Sequence, residues 1–160
     1  MRNSKFMRPM QIKALLSALL LTATPVFADG LAPDYAVLPL ASHHYGDWGE
    51  DDGDDFNEFN PGLMFTWAER AYGLNYTFGA YRDSRSDTSA HLSAAKMWDI
   101  GPQAQAGIVG AYIHSFGDGY TGFAPSVQLT YKSLFLNAAT GYDDDVYGVI
   151  STGFIIPLGR

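Results

Sequence analysis

The sequence predicts an all-β chain: an eight-stranded antiparallel up-and-down transmembrane β-barrel behind an export segment. Three observations carry this. Residues 71–81 alternate with period two, Tyr72, Leu74, Tyr76, Phe78 and Ala80 on one face and Gly73, Asn75, Thr77, Gly79 and Tyr81 on the other. Seven further segments extend the pattern, most of them ten or more residues long, the length a tilted strand needs to cross a bilayer. No stretch beyond the N-terminus stays apolar for about 18 residues, so a membrane crossing must be built from strands.

Residues 1–28 read as a secretory signal peptide. Arg2, Lys5, Arg8 and Lys13 form a basic region, Ala14 to Ala23 is apolar or small, and Val26-Phe27-Ala28 offers small residues for cleavage before Asp29. The apolar run is too short for a spanning helix, which needs about 20 residues. Residues 29–160 then form one domain.

Strands are expected over 35–45, 58–69, 71–82, 88–98, 103–114, 121–131, 133–141 and 145–157. An even count returns both ends to one side, the periplasmic side in a bacterial outer-membrane barrel. Short lower turns fall at Glu69-Arg70, Asp99-Ile100-Gly101-Pro102 and Lys132-Ser133; upper loops fall at 46–57, 83–87, 115–120 and 142–144. Strand 88–98 alternates weakly and carries His91 and Lys96. The C-terminus, Ile155 to Arg160, lacks the terminal aromatic common in such barrels. Tyr35, Tyr45, Trp48, Trp67, Tyr72 and Trp98 near strand ends suit interfacial girdles.

Charge and composition remove several function classes. All 17 acidic residues follow residue 28, against six of the ten basic ones, a mature net charge of −11. That disfavours nucleic acid as a partner. The absence of cysteine excludes disulfides, thiolate metal sites and cysteine nucleophiles. The acidic loop 46–57 lacks the spaced carboxylates of a calcium loop and reads as mobile and metal-free. His43 and His44 point to opposite faces of a strand and cannot easily share a zinc ion. No cofactor and no metal is implied.

Chemistry is expected at the upper rim. Strands one, three and five all run upward and end at Ser42-His43-His44, Tyr81-Arg82-Asp83-Ser84 and His114-Ser115. A histidine, an acid and a serine on a barrel this narrow are the ingredients of acyl chemistry.

Leu38-Pro39-Leu40-Ala41-Ser42-His43-His44 resembles the first strand of the outer-membrane lipid A palmitoyltransferases, where a proline precedes the strand-end catalytic histidine by five residues. Phe56-Asn57-Glu58 with Asn60-Pro61-Gly62 resembles the start of that family's second strand. Ala80-Tyr81-Arg82-Asp83-Ser84 resembles its third-strand end, and Ala106 through Pro125 to Tyr131 is similar to its fifth and sixth strands. The resemblance implies an acyl chain moved from phospholipid to lipid A or another outer-leaflet acceptor. It implies His44 as general base, Asp83 orienting it and Ser84 assisting at the carbonyl, with His44 facing the lumen and His43 facing out. It further implies membrane lipids as partners and a monomer. Pro39, Pro61 and Pro125 lie in expected strands and lack the N–H of a ladder; Pro39 and Pro61 either weaken one seam, as in that family, where lipids enter sideways through such seams, or only bend the chain near strand ends. The same motif order resembles a group of small exported barrels with Asn-Pro-Gly-Leu on strand two, matched by Asn60-Pro61-Gly62-Leu63.

Asn75, Gln103, Gln105, Gln128 and Asn137 also lie on expected strands, and some must face inward. A polar lumen suits a saturated acyl chain poorly, because buried amides need partners. The alternative is therefore a non-catalytic barrel that supports the envelope or displays the acidic loop, with a soluble exported sandwich third.

Overall fold

The computed structural model describes residues 32–46, 56–117, 121–143 and 145–159. The expected signal segment 1–28 and residues 47–55 of the acidic loop lie outside the described residues.

Eight strands follow in chain order: β1 (Tyr35–Gly46), β2 (Gly62–Trp67), β3 (Asn75–Arg82), β4 (Thr88–Gly101), β5 (Ala104–Ser115), β6 (Thr121–Tyr131), β7 (Leu134–Asp143) and β8 (Asp145–Pro157). Each pairs antiparallel with the next, and β8 pairs with β1, closing the barrel. Closure satisfies the edges that an open sheet would leave unpaired.

The barrel is inverted relative to a soluble one. Leu63, Phe78, Leu92, Ile108, Val127 and Leu136 are exposed on the outer wall. Thr66, Thr77, Ser93, Gln128, Asn137 and Ser151 line the interior. An apolar belt around a polar lumen is stable in lipid and costly in water. Among the described residues all eight strands belong to one closed sheet, which leaves Phe78 no facing sheet to pack against, so the sandwich alternative falls.

Eight strands leave little room inside, and paired glycines provide it. Tyr81, Met64, Met97 and Phe135 point inward directly opposite Gly62, Gly79, Gly107 and Gly153 on the neighbouring strand. A Cβ on any of these glycines would overlap the facing strand or side chain. Val37, Met64 and Phe135, with Tyr81 and Ile155 against them, form the apolar core of the lumen.

Three boundaries differ from the sequence reading by three residues or more. The third strand begins at Asn75, because Ala71–Gly73 form a 3₁₀ turn in which Tyr72 and Gly73 have φ of 63° and 62°. Tyr72 is thus 93% exposed on the lower connection rather than on a wall. The second strand begins at Gly62, leaving Pro61 just outside it; Phe59 keeps one isolated bridge to Ala41. β4 extends to Gly101, which shortens the next turn to Pro102-Gln103. In β4, His91 faces the lumen, while Lys96 lies on the outer wall and donates from Nζ to the Gly73 carbonyl (2.9 Å). A lysine on a lipid-facing wall reaches a polar end in this way.

Prolines interrupt two seams. β1 and β2 pair continuously only from Tyr35 to Val37, and β6 pairs with β7 only from Ser126 downward, next to Pro125. Proline has no N–H to donate to a ladder.

Candidate functional site at the barrel mouth

His44 reaches the lumen because of a β-bulge. Below it, β1 alternates with Tyr35, Val37 and Pro39 inward, and unbroken alternation would turn His43 inward too. The register with β8 shifts between Pro39 and Ala41: Pro39 faces Gly153, whereas Ala41 faces Thr152. Leu40 is the extra residue. The shift reverses the parity of everything above it, placing Ser42 and His44 on the lumen wall.

Ser84 comes from the turn 83–87 that joins β3 to β4. Ser84 Oγ lies 3.0 Å from His44 Nε2, within hydrogen-bond reach. With the ring proton on Nδ1, the serine hydroxyl donates to Nε2. Phe56 stacks on the other side of the imidazole, with ring centroids 4.3 Å apart and an interplanar angle of 17°. Beneath the pair the lumen holds a cavity of about 870 Å³ that runs past Met64 and Phe135 to Asp99 and Gln103 at the lower end.

Asp83 has different partners. Its Oδ1 accepts from the backbone N–H groups of Arg85 (3.1 Å) and Asp87 (2.9 Å). Its Oδ2 accepts from the hydroxyls of Ser89 on β4 (2.8 Å) and Ser115 on β5 (2.7 Å). None of these bonds reaches His44. Of the three rim residues expected from sequence, His44 and Ser84 meet, and Asp83 ties the turn to two strands.

The other histidines are placed apart. His43 points outward, with Nδ1 2.5 Å from Glu58 Oε1 and its ring edge against Tyr45. His114 is half-buried beside Thr121 and Phe116. His91 lies deeper in the lumen, its Nε2 2.9 Å from Ser93 Oγ. Among the described residues no cluster of three histidines or carboxylates has the geometry of a metal site.

Some participants are not evident in the sequence. Asn60 is buried below the mouth, where its Oδ1 accepts from Ser42 Oγ (2.6 Å), its Nδ2 donates to the Asn57 carbonyl (3.1 Å) and its N–H donates to the Leu40 carbonyl (2.8 Å). It fixes the 56–60 segment, and so Phe56, against β1. Its place in the Asn60-Pro61-Gly62-Leu63 motif is the local signal, without its partners. Ser89 carries none and Ser115 only its place at the same rim, since strand register brings both to Asp83.

The sequence matches no protein-family model, and no curated protein matches it. Among solved structures, a de novo designed transmembrane β-barrel is similar at a TM-score of 0.50 and 10% identity, covering 78% of this chain and 96% of the other. Ail, the attachment invasion locus protein of Yersinia pestis, is similar at a TM-score of 0.34 and 16% identity, covering 77% of this chain and 97% of Ail. At 10% identity the likeness to the designed barrel is one of fold: a small closed barrel of the transmembrane class.

Proposed function

We propose that this chain is a bacterial outer-membrane enzyme of the lipid A acyltransferase type, acting as a monomer at the outer mouth of its barrel. The observation that carries this is the 3.0 Å contact between Ser84 Oγ and His44 Nε2 at the opening of the lumen. A hydroxyl with a basic nitrogen in reach is the working core of acyl transfer. His44 takes the proton from an acceptor hydroxyl as its oxygen attacks the ester carbonyl of a phospholipid. Ser84 steadies the charge that develops on the carbonyl oxygen. When the tetrahedral intermediate collapses, the ester bond to the glycerol breaks and the departing alkoxide recovers the proton from His44. The interrupted β1–β2 and β6–β7 seams offer lipids a lateral route to the mouth.

A non-catalytic envelope barrel is the second reading, and the lumen favours it. The hydroxyls of Thr66 and Thr77 pair at 2.8 Å, and Asn137 Nδ2 donates to Ser126 Oγ at 3.0 Å, a wall poorly suited to a long saturated chain. Mass spectrometry of envelope lipids from cells with and without the chain separates the two. The enzyme reading expects an acyl-sized mass increase on an outer-leaflet lipid that His44→Ala abolishes and His43→Ala leaves. Identical lipids in all four strains point to the non-catalytic barrel.

A further inference from the structure

We propose that Asp83, Ser89 and Ser115 form a clamp that positions Ser84 against His44, so that Asp83 acts through the serine and not on the imidazole. The functional consequence rests on reading His44 and Ser84 as an acyl-transfer pair; the clamp itself does not.

The turn 83–87 is tight. Its backbone closes by Asp83 N–H to the Asp87 carbonyl (2.7 Å) and Ser86 N–H to the Asp83 carbonyl (3.0 Å), with Ser86 at a φ of 73°. A non-glycine residue in that region is unfavourable unless its surroundings hold it there. The Asp83 carboxylate supplies the hold. One oxygen accepts two N–H groups of the turn, and the other accepts hydroxyls from two strands. Ser89 and Ser115 are 1% and 3% exposed, so water cannot take the place of the carboxylate. From the opposite side, Asn57 N–H donates to the Ser84 carbonyl (2.7 Å). Ser84 is therefore fixed from before and after in the chain.

The chemistry explains why an aspartate stands there. Four donors converge on one side chain, and an ionised carboxylate has acceptor sites for all four. An asparagine in the same pose would turn its NH₂ toward either the two hydroxyls or the two backbone N–H groups, and one pair would lose its acceptor. A glutamate would carry the carboxylate past the turn. The precision matters because Ser84 must reach His44 across the 56–60 segment, and a misplacement of about 1 Å costs on the order of 100-fold in rate.

The test uses the full exported barrel with ¹⁵N-labelled histidine in detergent micelles, each variant first shown to be folded by heat-dependent gel migration. Ser84→Ala defines the His44 Nε2 resonance without its serine partner. Asp83→Asn and Ser115→Ala are expected to move that resonance the same way, and Ser115→Thr, which keeps the hydroxyl, to restore it. In the Ser84→Ala background, Asp83→Asn should change nothing further. If Ser115→Ala does not fold, Ser89→Ala and Ser89→Thr take its place. Two results overturn the proposal: an unchanged His44 resonance in Asp83→Asn and the serine-to-alanine variant, or a further shift when Asp83→Asn is added to Ser84→Ala. Transfer assayed in vesicles of phospholipid and lipid A should fall roughly ten- to 100-fold in kcat for Asp83→Asn and Ser115→Ala, with KM little changed. A wild-type chain without transfer would refute the acyltransferase reading while the resonances still decide the clamp.

Discussion

Gly153→Ala tests the packing that turns β1. Gly153 faces Pro39 across the β1–β8 seam, beside the bulge that sends His44 inward. A Cβ there would sit 2.8 Å from the Phe135 ring and 2.8 Å from Pro39 Cα, and nearer still to the Leu38 carbonyl oxygen. Two of these three neighbours are backbone and have no rotamer in which to retreat. Overpacking of this kind costs about 1–3 kcal/mol, and the fixed neighbours place it near ~3. The lower entropy of alanine in the unfolded chain returns about 0.4–1 kcal/mol. The net is roughly 2 kcal/mol, about a 30-fold change in the folded-to-unfolded ratio. In a urea titration with an m-value of about 2 kcal/mol/M, the midpoint should fall by roughly 1 M. Phe135→Leu added to Gly153→Ala should recover little of this, since the ring is only one of the three obstacles. A midpoint within about 0.3 M of wild type, or full recovery by Phe135→Leu, would refute the reasoning.

Three other outcomes follow from the fold. Phe78→Arg on the outer wall should cost about 2–4 kcal/mol when the barrel unfolds from vesicles, as expected for a cation facing the bilayer midplane; no cost would mean that this wall does not face lipid. Arg70→Ala removes the 2.9 Å pairing with Asp34, whose two side chains are only 10% and 21% exposed, and should cost about 1.5–3 kcal/mol in the same titration. Mass spectrometry of the exported chain should find Asp29 at the N-terminus; an uncut chain would contradict the signal-peptide reading.

The sequence disclosed the wall better than the mouth. The sequence reading located β6 and β8 closely, because side chains facing lipid and lumen differ in kind along a strand. It overran at Tyr72 and Leu74, which continue the apolar rhythm through a turn whose backbone is left-handed at Tyr72 and Gly73. The weak strand around His91 and Lys96 alternates properly once Lys96 is seen to reach the Gly73 carbonyl along the outer wall. The inward direction of His44 was not readable from alternation, which carries Tyr35, Val37 and Pro39 inward and then favours His43. The bulge at Leu40 decides it, and that bulge is defined only by pairing with residues more than 100 positions away. Proline 39 announced a broken ladder without saying which way the parity would fall. The topology placed Ser115 at the same rim as Asp83, whereas Ser89 was hidden for the same reason. Ser89 and Ser115 lie six and 32 positions along the chain, and register alone brings their hydroxyls to one oxygen.

Acyl transfer by the purified barrel tests the central claim most directly. The chain is reconstituted in vesicles holding a phospholipid with an isotope-labelled acyl chain together with lipid A, and the lipids are analysed by mass spectrometry. The account predicts labelled, acylated lipid A and an equal amount of lysophospholipid with the wild type and with His43→Ala, and neither product with His44→Ala in a barrel that remains folded. Absence of both products with the wild type, or their undiminished formation by His44→Ala, would contradict it.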